Sequence, residues 1–200
     1  VVPHNTEKIK RMIQVLGQEK RFEITITYLG GTVGDIESLP YLEALRQLRW
    51  ELGPENCVVI HLTLIPYLKA AKELKTKPTQ HSVKELLRSG IQPDILVCRT
   101  EHSLSKDIKR KIALFCNVEQ EAVIEAIDAE TIYDVPLLMA VEKLDSIVMQ
   151  KLKIQGKHEL MLDSWKEFIH KYKNPVHKVN IGLIGKYNEL QDAYKSIHES

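Results

Sequence analysis

Two short stretches concentrate residue types able to hold a phosphorylated ligand. KTKPTQHS, residues 75–82, sets Lys75 and Lys77 beside the hydroxyls of Thr76 and Thr79, with Pro78 suited to the first turn of a helix and Gln80 following. Unpaired N–H groups at a helix start attract anions, and two ammonium groups add to that field, so this is the chemistry of a phosphate site. Paired lysines also occur on ordinary solvated helix faces, and the pattern alone leaves both readings open.

YLGGTVGDIES, residues 28–38, is the second stretch. Gly30, Gly31 and Gly34 mark backbone that turns sharply or meets a ligand without a Cβ between them. The spacing matches neither GxGxxG nor GxxxxGK[ST], so neither familiar phosphate fingerprint applies. Asp35 and Glu37 stand just before the next helix, where carboxylates cap the N-terminus; an acid pair there would also suit a base, a ribose or a phosphate-bound cation. A tight structural turn and a ligand loop remain equal alternatives.

Other chemistry-bearing residues give weaker signals. GLIGKY, residues 182–187, fails as a phosphate loop, because Asn180 stands where the first glycine is needed and Tyr187 where Ser or Thr is needed. The eight histidines form no HExxH pair. His61 reads as a satisfied core histidine and His81 as a helix-start residue. There is no GxSxG elbow, and Cys57, Cys98 and Cys116 form neither a CxxC nor a nucleophile motif. They are expected to be buried thiols in a reducing compartment.

The elements that must carry these residues follow from periodicity. Ile9, Met12, Ile13 and Leu16 predict an amphipathic helix from about Thr6 to Gly17. FEITITYL alternates and predicts a strand running into the glycine turn. Leu39 to Leu52 is helical, closed by Gly53-Pro54. CVVIHLTLI predicts a strand buried on both faces, and PYLKAAKELK a helical piece. SVKELLRSG resumes a helical pattern, PDILVCRT and AVIEAID are strands, and SKDIKRKIALFC is a helix. Val135 to Ile154 is helical; Gln155 to Lys178 is a linker with one short helix anchored by Trp165 and Phe168. KVNIGLIGKY predicts a fresh strand and Asp192 a helix start. Strands alternating with helices imply an α/β fold: a parallel sheet flanked by helices, with the turns after successive strands on one edge.

The whole is a chain of 200 residues, 44% hydrophobic and 28% charged, which suits a folded globular protein. A net charge of +1 gives no global electrostatic reason to bind nucleic acid or an anionic membrane. No apolar run approaches the ~20 residues that span a bilayer, and VVPHNTEKIK lacks the apolar core of a signal peptide; a cytoplasmic protein is expected. The absence of an initiating Met, with VVP reading like a strand end, predicts a fragment of something longer.

Taken in order, GGTVGDIES with LPYLEALRQ, KTKPTQHSVKELLRSGIQPDILVCR and KRKIALFCNV resemble the CTP synthase family, and KVNIGLIGKYNELQDAYKSIHES resembles the start of that family's glutaminase domain. The resemblance implies a P-loop-like (Rossmann-like) amidoligase domain truncated at its N-terminus over residues 1–154, a linker over 155–177 and the beginning of a glutaminase domain over 178–200. It implies a ligase that uses ATP with magnesium to phosphorylate UTP and then ammonia from glutamine to form CTP. CTP would inhibit at the UTP site, GTP would activate the glutaminase half, and the assembly would be a homotetramer.

By motif, Asp35, Ile36 and Glu37 would line the UTP/CTP site. Lys75, Thr76, Lys77, Pro78, Thr79 and Gln80 would hold the pyrimidine nucleotide and its phosphates, with Lys111 adding charge. Ile127, Asp128 and Ala129 would contact ATP. Tyr28 departs from the family, standing where a magnesium-binding glutamate is expected; a phenol with a pKa near ~10 is a poor ligand for a hard cation. No intact metal set is therefore expected. The family's phosphate loop and second magnesium acid would precede Val1, its glutaminase nucleophile would follow Ser200, and the run after His4 also departs, so no complete catalytic set is expected within these residues. The alternative from another class is a non-catalytic nucleotide-binding or oligomer-scaffold domain of the same fold; a generic P-loop ATPase is disfavoured by the missing Walker A.

Overall fold

The computed structural model describes residues 2–18, 22–156, 159–187 and 189–198. The chain forms two compact units, Val1–Leu160 and Met161–Ser200.

The first unit begins with α1 (Val2–Gln18) and α2 (Leu39–Leu52), followed by β1 (Ile60–Ile65) and a small hairpin of β2 (Tyr67–Leu68) and β3 (Glu73–Leu74). Then come α3 (Lys77–Arg88), β4 (Ile95–Thr100), α4 (Lys106–Cys116), β5 (Val123–Ile127), α5 (Val135–Val141) and α6 (Leu144–Lys151). The sheet has the order β1-β4-β5, and both pairings are parallel. Parallel neighbours need crossovers, which α3 and α4 supply.

Alternation along β4 divides the core. Leu96 and Cys98 pack with Ile65, Val83, Ile112, Cys116 and Val123 on the α3 and α4 side. Ile95 packs with Ile124 and Ala122 on the other side, against Met139, Leu144 and Ile147 of α5 and α6. Because successive strand side chains face opposite ways, helices on both faces are what bury a run such as ILVC. Each such Ile or Leu contributes roughly 1.5–3 kcal/mol when fully buried.

The expected strand at β1 forms, but its burial on both faces does not. His61, Thr63 and Ile65 are buried while Ile60, Leu62 and Leu64 are exposed. α5 and α6 lie over β4 and β5, and this face of β1 stays exposed. The strand expected from FEITITYL is likewise absent: residues 24–29 form no regular secondary structure, with Ile26 92% and Tyr28 87% exposed, and join no sheet. Alternation favours extension, yet a strand exists only with a ladder partner.

The helix expected from PYLKAAKELK is instead the β2–β3 hairpin, with Tyr67 opposite Leu74 and Lys72 in the left-handed region at φ 51°. Helix propensity is a weak preference, and so short a segment yields to the tie between the Lys75 N–H and the Pro66 carbonyl at 3.0 Å. The single helical stretch from Val135 to Ile154 is broken by Lys143, at φ 59° between α5 and α6. Cys98 and Cys116 are buried as expected, whereas Cys57 is only half-buried.

In the second unit, α7 (Asp163–Lys173) buries Ile169, and the Trp165 and Phe168 rings lie 5.3 Å apart. KVNIGLIGKY forms no strand: Val179, Ile181 and Ile184 are exposed and no ladder is made. A 3-10 turn over Gln191–Tyr194 leads into α8 (Lys195–His198). Among the described residues, no helix is long and apolar enough to cross a membrane.

Candidate functional site

Register sets the site. Ile65 pairs with Thr100, and Thr100 with Ile127, so the three strands end level. The segments that follow them therefore leave from one edge of the sheet. In parallel α/β sheets, the carboxyl ends of the strands form the ligand crevice.

The lysine stretch leaves β1 through the hairpin and is anchored by hydroxyls. Thr79 is fully buried; its Oγ1 donates to the Leu64 carbonyl at 3.1 Å and lies 3.2 Å from the Thr63 hydroxyl. Thr76, also buried, accepts a bond from Gln80 Nε2 at 3.1 Å and precedes the first residue of α3. With the threonines turned inward, Lys77 and Pro78 are exposed. The Lys75 ammonium bonds the Glu73 carboxylate.

At the other end of the edge, the Asp128 N–H donates to the Thr100 carbonyl at 2.9 Å, and Asp128 Oδ1 accepts from Arg99 Nε at 3.2 Å. Ile127 and Ala129, on either side, are half-buried. Arg99 also lines a shallow cleft with Leu62, Thr63, Leu64, Ser82 and Pro78 of the lysine stretch. Sequence reasoning missed Arg99, although a lone charge near the end of an apolar strand was the available signal. Lys111 is exposed in the middle of α4, between the edge and the helix end.

The glycine turn lies elsewhere. Val33 packs against Leu42, Val59, Leu86 and Ile91, and Val59 and Ile91 precede β1 and β4, so this contact is at the opposite ends of the strands. The same end is braced by Arg49, whose guanidinium grips Asp94 at 2.5 and 2.8 Å while Asp94 accepts the Val59 N–H at 2.7 Å. Gly31 and Gly34 have φ of 89° and 106°, and a Cβ at either would meet open space, so the turn uses glycine for its backbone angles. Asp35 Oδ2 accepts the Thr32 N–H at 3.3 Å, and Ser38 Oγ donates to the Asp35 carbonyl at 2.8 Å. Ile36 and Glu37 are exposed. The structure thus brings Lys75–Gln80 and Ile127–Ala129 to one edge and leaves Asp35, Ile36 and Glu37 apart from it. The expectation that every such turn shares one edge fails at this turn, because the segment before it is not paired into the sheet.

Electrostatics beneath the lysine stretch favour neutral groups. Burial pushes the His61 imidazole below its usual 6.5, and its Nε2 lies 2.9 Å from Ser82 Oγ. This is the satisfied core histidine expected. Burial pushes the Cys98 and Cys116 thiols up to about 11, so neither is a ready nucleophile. Among the described residues, no group of three or more His, Cys, Asp or Glu side chains could hold a metal ion. The exposed phenol of Tyr28 is a poor ligand for a hard cation such as magnesium.

The sequence matches the family model described as CTP synthase N-terminus over residues 1–154. Across all 200 residues it is 66% identical to a CTP synthase of Cytophaga hutchinsonii, 64% to one of Christiangramia forsetii and 56% to one of Bacteroides fragilis. The chain spans 37% of the length of each of these relatives.

Proposed function

The chain belongs to the CTP synthase family, and from that premise we propose that it is the nucleotide-binding part of a ligase that aminates UTP to CTP at the expense of ATP. In this reading residues 1–154 belong to the synthetase domain, 155–177 link it onward and 178–200 begin the glutaminase domain. The protein is cytoplasmic and assembles as a homotetramer. Glutamine supplies the ammonia, and CTP and GTP act as inhibitor and activator of the longer protein.

The level register Ile65–Thr100–Ile127 carries the proposal, because it presents Lys75–Gln80 and Ile127–Ala129 together. Lys75 and Lys77 neutralise the triphosphate of UTP or CTP, and Gln80 orients it; Thr76, Pro78 and Thr79 fix the loop in place. Lys111 adds positive charge from α4. Asp128, beside Arg99, faces ATP. Asp35, Ile36 and Glu37 join the pyrimidine site once the segment before the glycine turn pairs into the sheet. Magnesium enters with the ATP phosphates, and no step is assigned to a metal held by this chain.

UTP binding to the full-length protein, measured by calorimetry with magnesium present, tests the reading. Replacing both lysines (K75A/K77A) is expected to weaken UTP at least about tenfold, since each charge-assisted bond to phosphate is worth roughly 1.5–3 kcal/mol. Wild-type protein that ignores UTP would overturn it and favour the scaffold alternative, for which the exposed Tyr28 is the supporting observation.

A further inference from the structure

Three residues before Asp128 stands a carboxylate that no motif singles out. Glu125, half-buried in β5, accepts bonds from Ser103 Oγ at 2.9 Å and from the Leu104 N–H at 2.5 Å. Both donors belong to residues 101–105, which connect β4 to α4. The same loop is tied at its start by Thr100 Oγ1, donating to the His102 carbonyl at 2.8 Å, and by the Tyr67 ring, 4.1 Å from the His102 ring. Beyond Glu125 it enters the core through Leu104 and starts α4 at Ser105, whose Oγ accepts the Ile108 N–H.

Glu125 is itself held. Its N–H donates to Glu142 Oε2 at 2.8 Å, and that oxygen also accepts Lys109 Nζ at 2.5 Å. One acid therefore fixes the loop, and a second acid, tied to α4, fixes the strand that carries the first. A carboxylate receiving two bonds, one of them from backbone beside a buried side chain, is the strong, charge-assisted kind of tie.

We infer that Glu125 is a positioning residue for the nucleotide that meets Ile127–Ala129: through Ser103 and Leu104 it sets the β4–α4 loop that follows Thr100, whose carbonyl holds the Asp128 N–H. The inference rests on reading Ile127 to Ala129 as ATP contacts. It touches no ligand; it keeps the wall of the site in one place.

Steady-state kinetics of the full-length enzyme test it, with ATP and UTP varied in turn and thermal melting as a control. The alanine variant (E125A) is expected to raise the KM for ATP about fivefold to tenfold, with kcat and the KM for UTP within about twofold, as the loss of one or two such bonds should. Glu125→Gln keeps length, an oxygen to accept the Leu104 N–H and an amide N–H that the Ser103 hydroxyl can accept, and is expected to restore the KM for ATP to within about twofold. Glu125→Asp, one methylene short, is expected to behave like the alanine variant. Lower kcat with both KM values unchanged, equal rises in both KM values, or a glutamine variant as impaired as the aspartate variant would overturn the inference; the last comparison stands even if the alanine variant does not fold. Wild-type enzyme that shows no saturation by ATP would instead remove the reading of Ile127–Ala129 and the inference with it.

Discussion

The lysine stretch and the glycine turn carry comparable signals in sequence, but they are built differently. The lysine stretch follows a paired strand and is fixed from beneath, by a Thr79 hydroxyl on the Leu64 carbonyl. The glycine turn follows an unpaired segment, and its polar bonds, Thr32 to Asp35 and Ser38 to Asp35, stay within the turn. A turn's own geometry thus comes from its local residues, while its place in the molecule comes from the ladder that delivers it. The first should fail globally when disturbed, the second locally.

The largest effect is expected at Thr79. Replacing fully buried Thr79 with Val (T79V) preserves shape and removes the donor, leaving the part-buried Leu64 carbonyl without that bond. A loss of about 1–3 kcal/mol is expected, with a fall in melting temperature and weaker UTP binding together, and with Thr79→Ser recovering both. Unchanged melting and binding would show that the hydroxyl does not anchor the loop, and the contrast with the glycine turn would collapse.

Reading the sequence recovered what local chemistry dictates. α2 falls at Leu39–Leu52 and one short helix, α7, forms between residues 155 and 178, β4 and β5 lie where their apolar runs place them, and helices cover both faces of those two strands. The lysine stretch at a helix start was also legible, since Pro and Thr there have few other uses. What failed depended on partners. FEITITYL and KVNIGLIGKY have strand patterns, yet alternation cannot report whether a ladder is available. PYLKAAKELK has helix-forming residues, but the hairpin is closed by a backbone bond from Lys75 to Pro66 that no propensity encodes. Arg99 and Glu125 were overlooked for a related reason: each acts through a neighbour on another strand or loop, which one chain read in order does not reveal.

A smaller effect is expected at Gly34, whose φ of 106° is one that L residues rarely adopt. Replacing it with Ala (G34A) costs about 1–2 kcal/mol of local strain. Because nothing crowds the site and the turn's polar bonds are internal, the turn should rearrange without unfolding the sheet. The full-length protein is expected to melt within about 2 °C of wild type, since a local change adds little to global unfolding, while UTP binding weakens if Asp35 and Glu37 face the base. A melting shift as large as that of the Thr79→Val variant would mean that the Val33 contact couples the turn's backbone to the core.

The smallest effect separates the two regions by pH. His61, under the lysine stretch, has a folded pKa lowered below 6.5 by burial, so the unfolded chain binds its proton more readily than the folded one. Its contribution is complete above about pH 6.5 and is lost as pH falls through 6.5 toward the folded value, with a slope below ~1.4 kcal/mol per pH unit. Glu43, on the helix after the glycine turn, is held at about 2, chiefly by its bond to Arg46. Its contribution is present above about 4.5 and fades only as pH falls from there toward 2, and solvent exposure makes it slight. Hydrogen exchange followed from pH 7 to pH 4 should therefore show β1 and α3 amides losing protection first, once the pH falls below about 6.5, before those of α2. The early loss should vanish when His61 is replaced by Gln, which cannot titrate. Simultaneous loss in both regions, or an early loss that survives the substitution, would place the acid-sensitive group elsewhere and remove buried His61 as what distinguishes the lysine stretch from the glycine turn.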